Sequence, residues 1–361
     1  MKKIRTAIFG LAHPHLTSLA RTVYNCADDF ELIGFADVPP RDPNYYESSK
    51  KELTERYGLR EYSDWRALAA EKPDFAIVTS DNAAREEVCC TLLEMGIHVL
   101  DEKPMAMHFD AAARMYRTAK ENRVHMLTNW PIAWFPTFRL AKQLLDEGSI
   151  GKLMRVTYRS PATWGAFSYS RDGKLPPEET LLSSWWYHTE RGGGSVLDYA
   201  CYGALLSTWM FGKQAERVSG ITKNFCVQFS DVEDYSAMML DFGDGVGLLE
   251  GSWSTYNCGE VPSGPVLHGT EGTIVCDRHS ANVKLYLGKS HQPVPPTEVF
   301  EAGKDRQVEL LGPHLARVLQ GKEEPDAILS PELNLAVVAA LTAGMESART
   351  GMTVKTKQLA D

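Results

Sequence analysis

The stretch that decides the fold lies near the start of the chain and reads Ile4-Arg5-Thr6-Ala7-Ile8-Phe9-Gly10-Leu11-Ala12-His13-Pro14-His15. A short apolar run ends at a glycine and a helical stretch, 15–25, follows, an order that predicts a strand, a tight turn and a helix. The apolar run stops too early for a signal peptide. The turn keeps only the first glycine of a dinucleotide fingerprint, because Ala12 and His15 replace the other two. By itself it predicts a doubly wound fold and leaves nucleotide binding open.

The same rhythm of strand and helix continues to about Asn129. The predicted strands are 4–9, 30–36, 75–78, 98–100 and 126–129, and the predicted helices are 15–25, 46–57, 84–95 and 110–122. Strands that alternate with helices are typical of a parallel sheet covered on both faces. We therefore predict a doubly wound parallel sheet in a first domain, residues 1–129.

After Trp130 the pattern changes to long strand-rich segments. A helix at 136–147 precedes the predicted strands 153–159, 217–229, 235–242, 246–254 and 273–276, and a last helix covers 331–349. This pattern predicts a second α/β domain, residues 130–361, with a large, open, mostly antiparallel sheet that exposes one face. Such a face is typical of a subunit interface, so we expect a homodimer or homotetramer formed through the open sheet.

Composition narrows the classes of partner. A chain of 361 residues with 43% hydrophobic content can bury two cores. A net charge of -9 without a block of Lys or Arg argues against nucleic acid. No apolar run reaches the roughly 18 residues of a membrane span. The seven scattered cysteines lack metal-site spacing, so we expect no metal and reduced thiols in a cytoplasmic protein.

The second predicted strand ends at Ala36-Asp37, 27 residues after Gly10. A carboxylate there could accept both ribose hydroxyls of adenosine and would repel a 2'-phosphate, which favours NAD over NADP. The nearby Arg41 and Lys50 weaken this preference. The alternative for Asp37 is a solvated turn residue or a helix cap.

Ligands of doubly wound sheets bind outside the carboxyl ends of the strands. The side chains and turns that the sequence places there form our predicted cofactor site, namely Gly10, Ala12, His13, His15, Asp37, Thr79, Asn82, Glu102 and Lys103. For His13 and His15, a capping or packing role is an equal alternative.

Two further motifs carry a family resemblance. They are Ile97-His98-Val99-Leu100-Asp101-Glu102-Lys103-Pro104-Met105-Ala106 and Gly192-Gly193-Gly194-Ser195-Val196-Leu197-Asp198. Together with Gly148-Ser149-Ile150-Gly151-Lys152 and the end, 346–351, they make the chain resemble the glucose-fructose oxidoreductase and inositol dehydrogenase family, Gfo/Idh/MocA, over nearly its whole length. The resemblance implies a Rossmann domain followed by an α/β domain, with substrate held between the second sheet and the nicotinamide.

The resemblance also implies catalytic residues. Lys103 corresponds to the family's lysine of Glu-Lys-Pro, and Asp198 to the aspartate of the second motif, while Tyr202 stands where the inositol dehydrogenases have histidine. An ammonium at Lys103 would stabilise a developing alkoxide, and Tyr202 could take the hydroxyl proton while Asp198 orients substrate or lysine. The alternatives are a surface lysine paired with Glu102, a buried tyrosine bonded to a backbone carbonyl, and an aspartate that caps a turn.

Aromatic residues precede the glycine triplet, where the resemblance places substrate-facing groups. Trp164 and Trp186 could stack on the C–H faces of a sugar, and His188 could bond to its hydroxyls. The alternative for each tryptophan is a core position.

These observations predict an NAD-dependent oxidoreductase that moves a hydride between nicotinamide and a secondary carbinol of a sugar, glycoside or cyclic polyol. An NAD-dependent glycosidase, which oxidises a ring carbon transiently and then eliminates the leaving group, fits the same residues. A catalytically silent NAD-binding regulator is disfavoured because Lys103, Asp198 and Tyr202 are all present.

Overall fold

A computed structural model describes residues 2–161, 176–255, 264–277, 280–288, 292–303 and 307–359. The chain divides into two compact units. The first unit comprises 1–130, 176–193 and 307–335, and the second comprises 131–175, 194–306 and 336–361. The first unit thus includes two segments that follow the predicted domain boundary in sequence. One of them is anchored by a buried hydrogen bond of 2.6 Å from Trp130 Nε1 to Asn334 Oδ1.

The first unit is built on a six-stranded sheet in the order β3-β2-β1-β4-β5-β6, in which every pair is parallel. Its strands are β1 Ile4–Phe9, β2 Phe30–Ala36, β3 Glu61–Tyr62, β4 Phe75–Val78, β5 His98–Glu102 and β6 Met126–Asn129. The predicted parallel sheet is confirmed, with β5 two residues longer than expected and the short β3 added. Strand order reverses between β1 and β4, so ligands are expected at their carboxyl ends.

The second unit contains a nine-stranded sheet in the order β14-β13-β12-β11-β7-β10-β9-β8-β15. Its strands are β7 Leu153–Pro161, β8 Arg217–Lys223, β9 Tyr235–Asp241, β10 Val246–Ser252, β11 Val266–Gly269, β12 Gly272–Cys276, β13 Asn282–Leu287, β14 Glu298–Glu301 and β15 Val354–Lys355. Within the described ranges, β7 and β10 are the parallel pair and the other pairs are antiparallel. The prediction of a large, mostly antiparallel sheet is confirmed.

One predicted strand of this sheet is too long. The sequence pattern extends it over 217–229, whereas β8 ends at Lys223. The Asp234 carboxylate accepts hydrogen bonds from the backbone N–H groups of Phe225, Cys226 and Val227, which folds this stretch into a turn. A side-chain acceptor therefore takes the backbone donors that a longer strand would need.

The helices are α1 Leu16–Tyr24, α2 Pro43–Glu55, α3 Trp65–Ala70, α4 Asn82–Glu94, α5 Phe109–Asn122, α6 Pro136–Asp146, α7 Glu178–Leu182, α8 Cys201–Phe211, α9 Gln307–Leu319 and α10 Pro331–Thr350. The predicted bounds agree within three residues for α1, α2, α4, α5, α6 and α10, whereas α3 and α7 were not predicted. Asp42, Asp64 and Asp81 cap α2, α3 and α4 by accepting a backbone N–H. The sequence missed α9 because it contains Gly312 and Pro313.

The two sheets differ in burial. All four residues of β4 are buried, as in a sheet covered on both faces. In β9 only alternate residues are buried, and Met239 is 45% exposed. No helix of the described ranges has both the length and the apolar content of a membrane span.

Candidate functional site

The turn after β1 requires its glycine. Gly10 has φ +88°, and a Cβ there would lie 2.5 Å from the backbone nitrogen of Ser80. Thr79 ties the turn to the tip of β4, because its hydroxyl donates to the Gly10 carbonyl at 2.6 Å. Gly10 and Thr79, two predicted cofactor residues, therefore meet at the point where strand order reverses.

Asp37 lies at the tip of β2 and contacts the same turn. Its Oδ1 accepts from the backbone N–H of Leu11 at 3.0 Å, and its Oδ2 accepts from Arg41 Nε at 3.3 Å. Burial raises the pKa of Asp37, while the hydrogen bonds from the backbone of Leu11 and Val38 and from Arg41 oppose this rise. Its side chain is only 10% exposed, so a solvated turn residue is excluded.

Ala12 departs from the glycine fingerprint, and a tryptophan side chain contacts its backbone. Its carbonyl accepts a hydrogen bond of 2.8 Å from Trp185 Nε1. Trp185 stacks on Trp186 with ring centroids 3.8 Å apart. An indole pair therefore packs against the turn, and both indoles are buried.

His13 and His15 converge on Glu102. Glu102, fully buried at the tip of β5, places Oε2 2.9 Å from His15 Nδ1 and 3.8 Å from His13 Nδ1. Asn129 at the end of β6 donates to the other carboxylate oxygen at 2.6 Å. Burial, followed by the charges of His15, Lys103 and Arg85, lowers the pKa of His13 well below its ordinary value.

Lys103 follows Glu102 and is 2% exposed. Its ammonium lies 5.8 Å from the ring centroid of Trp186. The alternative of a surface lysine is therefore wrong, and the Glu102 carboxylate contacts the two histidines and Asn129. A charge so deeply buried needs a functional or structural reason.

Arg85 in α4 holds the backbone on both sides of Lys103. Its fully buried guanidinium donates to the carbonyls of Glu102 at 2.7 Å, Pro104 at 2.6 Å and Ser80 at 3.2 Å. We did not predict this role. A signal was present, because Arg85 lies three, four and seven positions before Val88, Cys89 and Leu92, on the apolar face of the helix.

Asn82, at the first turn of α4, binds a different segment of the first unit. Its Nδ2 donates to the Gly192 carbonyl at 2.8 Å, while its Oδ1 is buried and has no hydrogen-bond partner in the part of the chain that the structure describes. The neighbouring Asp81 accepts from Arg191 Nε at 2.8 Å. The segment 176–193 is therefore fastened to the start of α4.

The predicted substrate residues have separate outcomes. Trp186 is buried, and within the described ranges its Nε1 has no hydrogen-bond partner. His188 uses Nε2 to contact the Leu182 carbonyl at 2.6 Å. Trp164 lies outside the described residues.

The sequence predicts a helix over 194–211 with Asp198 and Tyr202, four positions apart, on one face. In the second unit the two residues do lie on one helical stretch, but the stretch starts differently. It opens with a π-helical turn, Val196–Ala200, before α8. Turns of π-helix are rare overall, but those that occur are often found at functional sites. Asp198 is 6% exposed and accepts from Trp253 Nε1 at 2.9 Å, and Tyr202 is 8% exposed.

Glu233 is a further group that the sequence did not reveal. Its Oε1 accepts from the backbone N–H of Val196 at 2.8 Å, at the start of the π-turn. Gly194 leaves room for this carboxyl, because a Cβ there would lie 2.5 Å from Glu233 Oε1. Burial raises the pKa of Glu233 to about 7.

Comparison with known proteins agrees with this fold. Residues 4–129 match a family model described as an oxidoreductase family with an NAD-binding Rossmann fold, and residues 138–275 match a GFO/IDH/MocA C-terminal domain. Together the two models cover more than half of the chain.

Individual relatives are distant. Levoglucosan dehydrogenase of Pseudarthrobacter phenanthrenivorans is 25% identical over 62% of this chain and 61% of its own length. 1,5-Anhydro-D-fructose reductase of Ensifer adhaerens is 25% identical over 75% of this chain and 78% of its own. The structure of the WlbA dehydrogenase from Bordetella pertussis, in complex with NADH and UDP-GlcNAcA, superposes with a TM-score of 0.76 at 20% identity, covering 99% of this chain and 100% of that one.

Proposed function

Because the chain belongs to the GFO/IDH/MocA oxidoreductase family, we propose that it transfers a hydride between NAD and a secondary carbinol of a sugar or polyol. The observation that carries the proposal is Lys103, a buried ammonium at the carboxyl edge of an NAD-type sheet. The two curated relatives named above are a dehydrogenase and a reductase of sugar derivatives. They favour net redox chemistry over the glycosidase alternative.

The residues at the strand tips fit the nucleotide. Asp37 presents a carboxylate for the adenosine ribose. Gly10 forms a tight turn in which a Cβ would collide with the backbone of Ser80. The positive end of the helix dipole at the start of α1 favours a pyrophosphate there. The buried Asn82 Oδ1 and His13 Nε2 have no partners among the described residues, so a bound ligand could satisfy them. We assign Ala12, His15 and Glu102 to the same site.

NAD, when bound, supplies the hydride acceptor, and the chain supplies the proton chemistry. We propose that Lys103 stabilises the developing alkoxide, that Tyr202 takes the hydroxyl proton and that Asp198 positions the substrate. The Trp253 indole supports this role for Asp198, because its hydrogen bond restrains the rotamer of the carboxylate. Trp164, Trp186 and His188 are our proposed contacts to the substrate.

A substrate panel tests the proposal. Purified protein is incubated with NAD and a set of inositols, aldoses and anhydrosugars, and with NADH and the matching keto sugars, while absorbance of NADH is followed. We expect stoichiometric NADH formation or consumption with at least one compound. Release of free sugar from glycosides without net NADH would overturn net redox and favour the glycosidase. No turnover in either direction, with NAD bound, would favour a regulator.

We also propose that the open face of the nine-stranded sheet pairs with a second copy of this chain. Ile221 is 55% exposed and Met239 45% exposed on this sheet, and Met352 nearby is 68% exposed. A patch on one subunit can meet the same patch on another across a two-fold axis. Light scattering should therefore give a dimer or tetramer that Met239→Lys weakens; a monomeric wild type would refute this.

A cytoplasmic location belongs to the same proposal. It is supported by the cysteines of the described ranges, which form no disulfide. Fractionation of the source cells would test it, and recovery of the protein outside the cytoplasm would contradict it.

A further inference from the structure

We infer that His13, His15 and Glu102 form a binding site for one Zn²⁺ ion at the tips of β1 and β5. One ligand atom from each of the three side chains lies within 4.8 Å of the others. The inference contradicts our sequence-based expectation of no metal. His15 and Glu102 are 87 positions apart in sequence, so the spacing of the ligands did not indicate a metal site. Its test needs neither NAD nor turnover, although the same three side chains belong to the proposed cofactor site.

The distances suit a tetrahedral ion. Zn²⁺ binds nitrogen and oxygen at about 2.0–2.2 Å, which separates two ligands of a tetrahedron by roughly 3.3 Å. The observed separations from Glu102 Oε2, 2.9 Å to His15 Nδ1 and 3.8 Å to His13 Nδ1, lie on either side of that value. Small side-chain adjustments would therefore seat an ion, with a fourth position left for water.

The hydrogen bonds around the cluster also suit a metal. Among the described residues, His13 Nε2 is fully buried with no hydrogen-bond partner, and His13 Nδ1 accepts a 3.3 Å bond from the His15 backbone N–H. Asn129 fixes the other oxygen of Glu102 at 2.6 Å, the outer-shell contact that orients metal-binding carboxylates.

The charge balance selects the class of metal. Glu102 brings one negative charge, whereas the charges of Lys103 and Arg85 act on His13 and oppose a cation. Mg²⁺ and Ca²⁺ depend on several oxygen ligands, so they are disfavoured. Zn²⁺ gains much of its affinity from imidazole nitrogens and is the better match.

The test uses the full-length protein after removal of metal with a chelator, without NAD or substrate. Calorimetric titration should give one Zn²⁺ per chain and no Mg²⁺ binding, and Co²⁺ should produce visible absorption bands. His15→Gln and Glu102→Gln should weaken Zn²⁺ by more than the roughly 10- to 100-fold that loss of an outer-shell partner costs. His125→Gln, in a stacked histidine pair outside the cluster, is the matched control and should bind as wild type.

Circular dichroism verifies that each variant is folded before titration. Wild-type protein that binds no Zn²⁺, or Zn²⁺ binding equally strong in both ligand variants, would overturn the site. Because no turnover is measured, a negative result leaves the proposed oxidoreductase activity unaffected.

Discussion

Buried polar and charged side chains cluster at the strand tips of the first unit and at the π-turn of the second unit. At the strand tips, Arg85 binds three backbone carbonyls around Lys103, and Glu102 is bound on both oxygens. At the π-turn, Asp198 is held by Trp253, 55 positions away in sequence. The groups at the strand tips lie together because parallel strands end at one edge of the sheet. The groups at the π-turn lie together only because of individual tertiary contacts.

The largest effect should come from Lys103→Met. If the strand tips hold the chemistry, loss of the ammonium should lower kcat by about 100- to 1,000-fold, the usual cost of one stabilising donor. NAD affinity, followed by fluorescence titration, should change little. Lys51→Met, at an exposed position of α2, is the control and should keep full turnover. Near-normal turnover of the Lys103 variant would refute the role proposed for its ammonium and leave the groups at the π-turn as the catalytic candidates.

Arg85→Leu tests whether the strand tips need the three hydrogen bonds that Arg85 donates to backbone carbonyls. Three carbonyls would lose a charged donor, so the free energy of unfolding should fall by about 3 kcal/mol or more. Urea denaturation measures the change. Arg66→Leu, at an exposed arginine, should stay within about 0.5 kcal/mol of wild type. Equal stability of both variants would show that the strand tips hold without Arg85.

Glu233→Gln probes the π-turn through pH. Burial raises the pKa of Glu233 from 4.5 to about 7, so the folded protein retains this proton longer than the unfolded chain does. Its contribution to stability is therefore full below pH 4.5 and is lost as pH rises to about 7, by up to roughly 3 kcal/mol.

The measurement is a series of urea denaturation curves between pH 4.5 and 8 for wild type and Glu233→Gln. The difference between the two should change steadily across that window, because glutamine does not titrate. Parallel pH profiles would mean that Glu233 ionises normally. The π-turn would then lack a carboxyl whose pKa is raised by burial.

The smallest effect should come from Asp37→Ala. Loss of a charged acceptor for the ribose hydroxyls is worth roughly 1.5–3 kcal/mol, so NAD affinity should fall by about tenfold or more. NADP should lose less, because the repulsion of its 2'-phosphate disappears. Fluorescence titration with both cofactors measures the ratio. An unchanged ratio would remove Asp37 from the cofactor site.

Local patterns predicted the first unit well. Five of its strands were found within two residues, because strands buried on both faces are apolar runs with clear ends. The predicted positions of Gly10, Asp37, Thr79 and Glu102 at strand tips followed from the same pattern. Short β3 and α3 were missed, since two and six residues carry too little periodicity.

Other features depended on distant residues. β8 ends early because Asp234 takes the backbone donors of the next turn, and the helix after Gly194 opens as a π-turn with Glu233 at its start. Asp234 lies 7 to 9 positions from the backbone that it binds, and Glu233 lies 37 positions from the backbone that it binds. Propensity alone therefore extended the strand and described an ordinary helix.

The sequence by itself determined the parallel sheet, the open second sheet and the chemical groups at the strand tips, because periodicity and turn residues act over a few positions. Only the tertiary structure decided which of these groups touch. It brought His13 and His15 to Glu102, buried Lys103 and aimed Arg85 at the carbonyls beside it. Hydrogen bonds and burial depend on distances in space, and the chain path between residues far apart in sequence sets those distances.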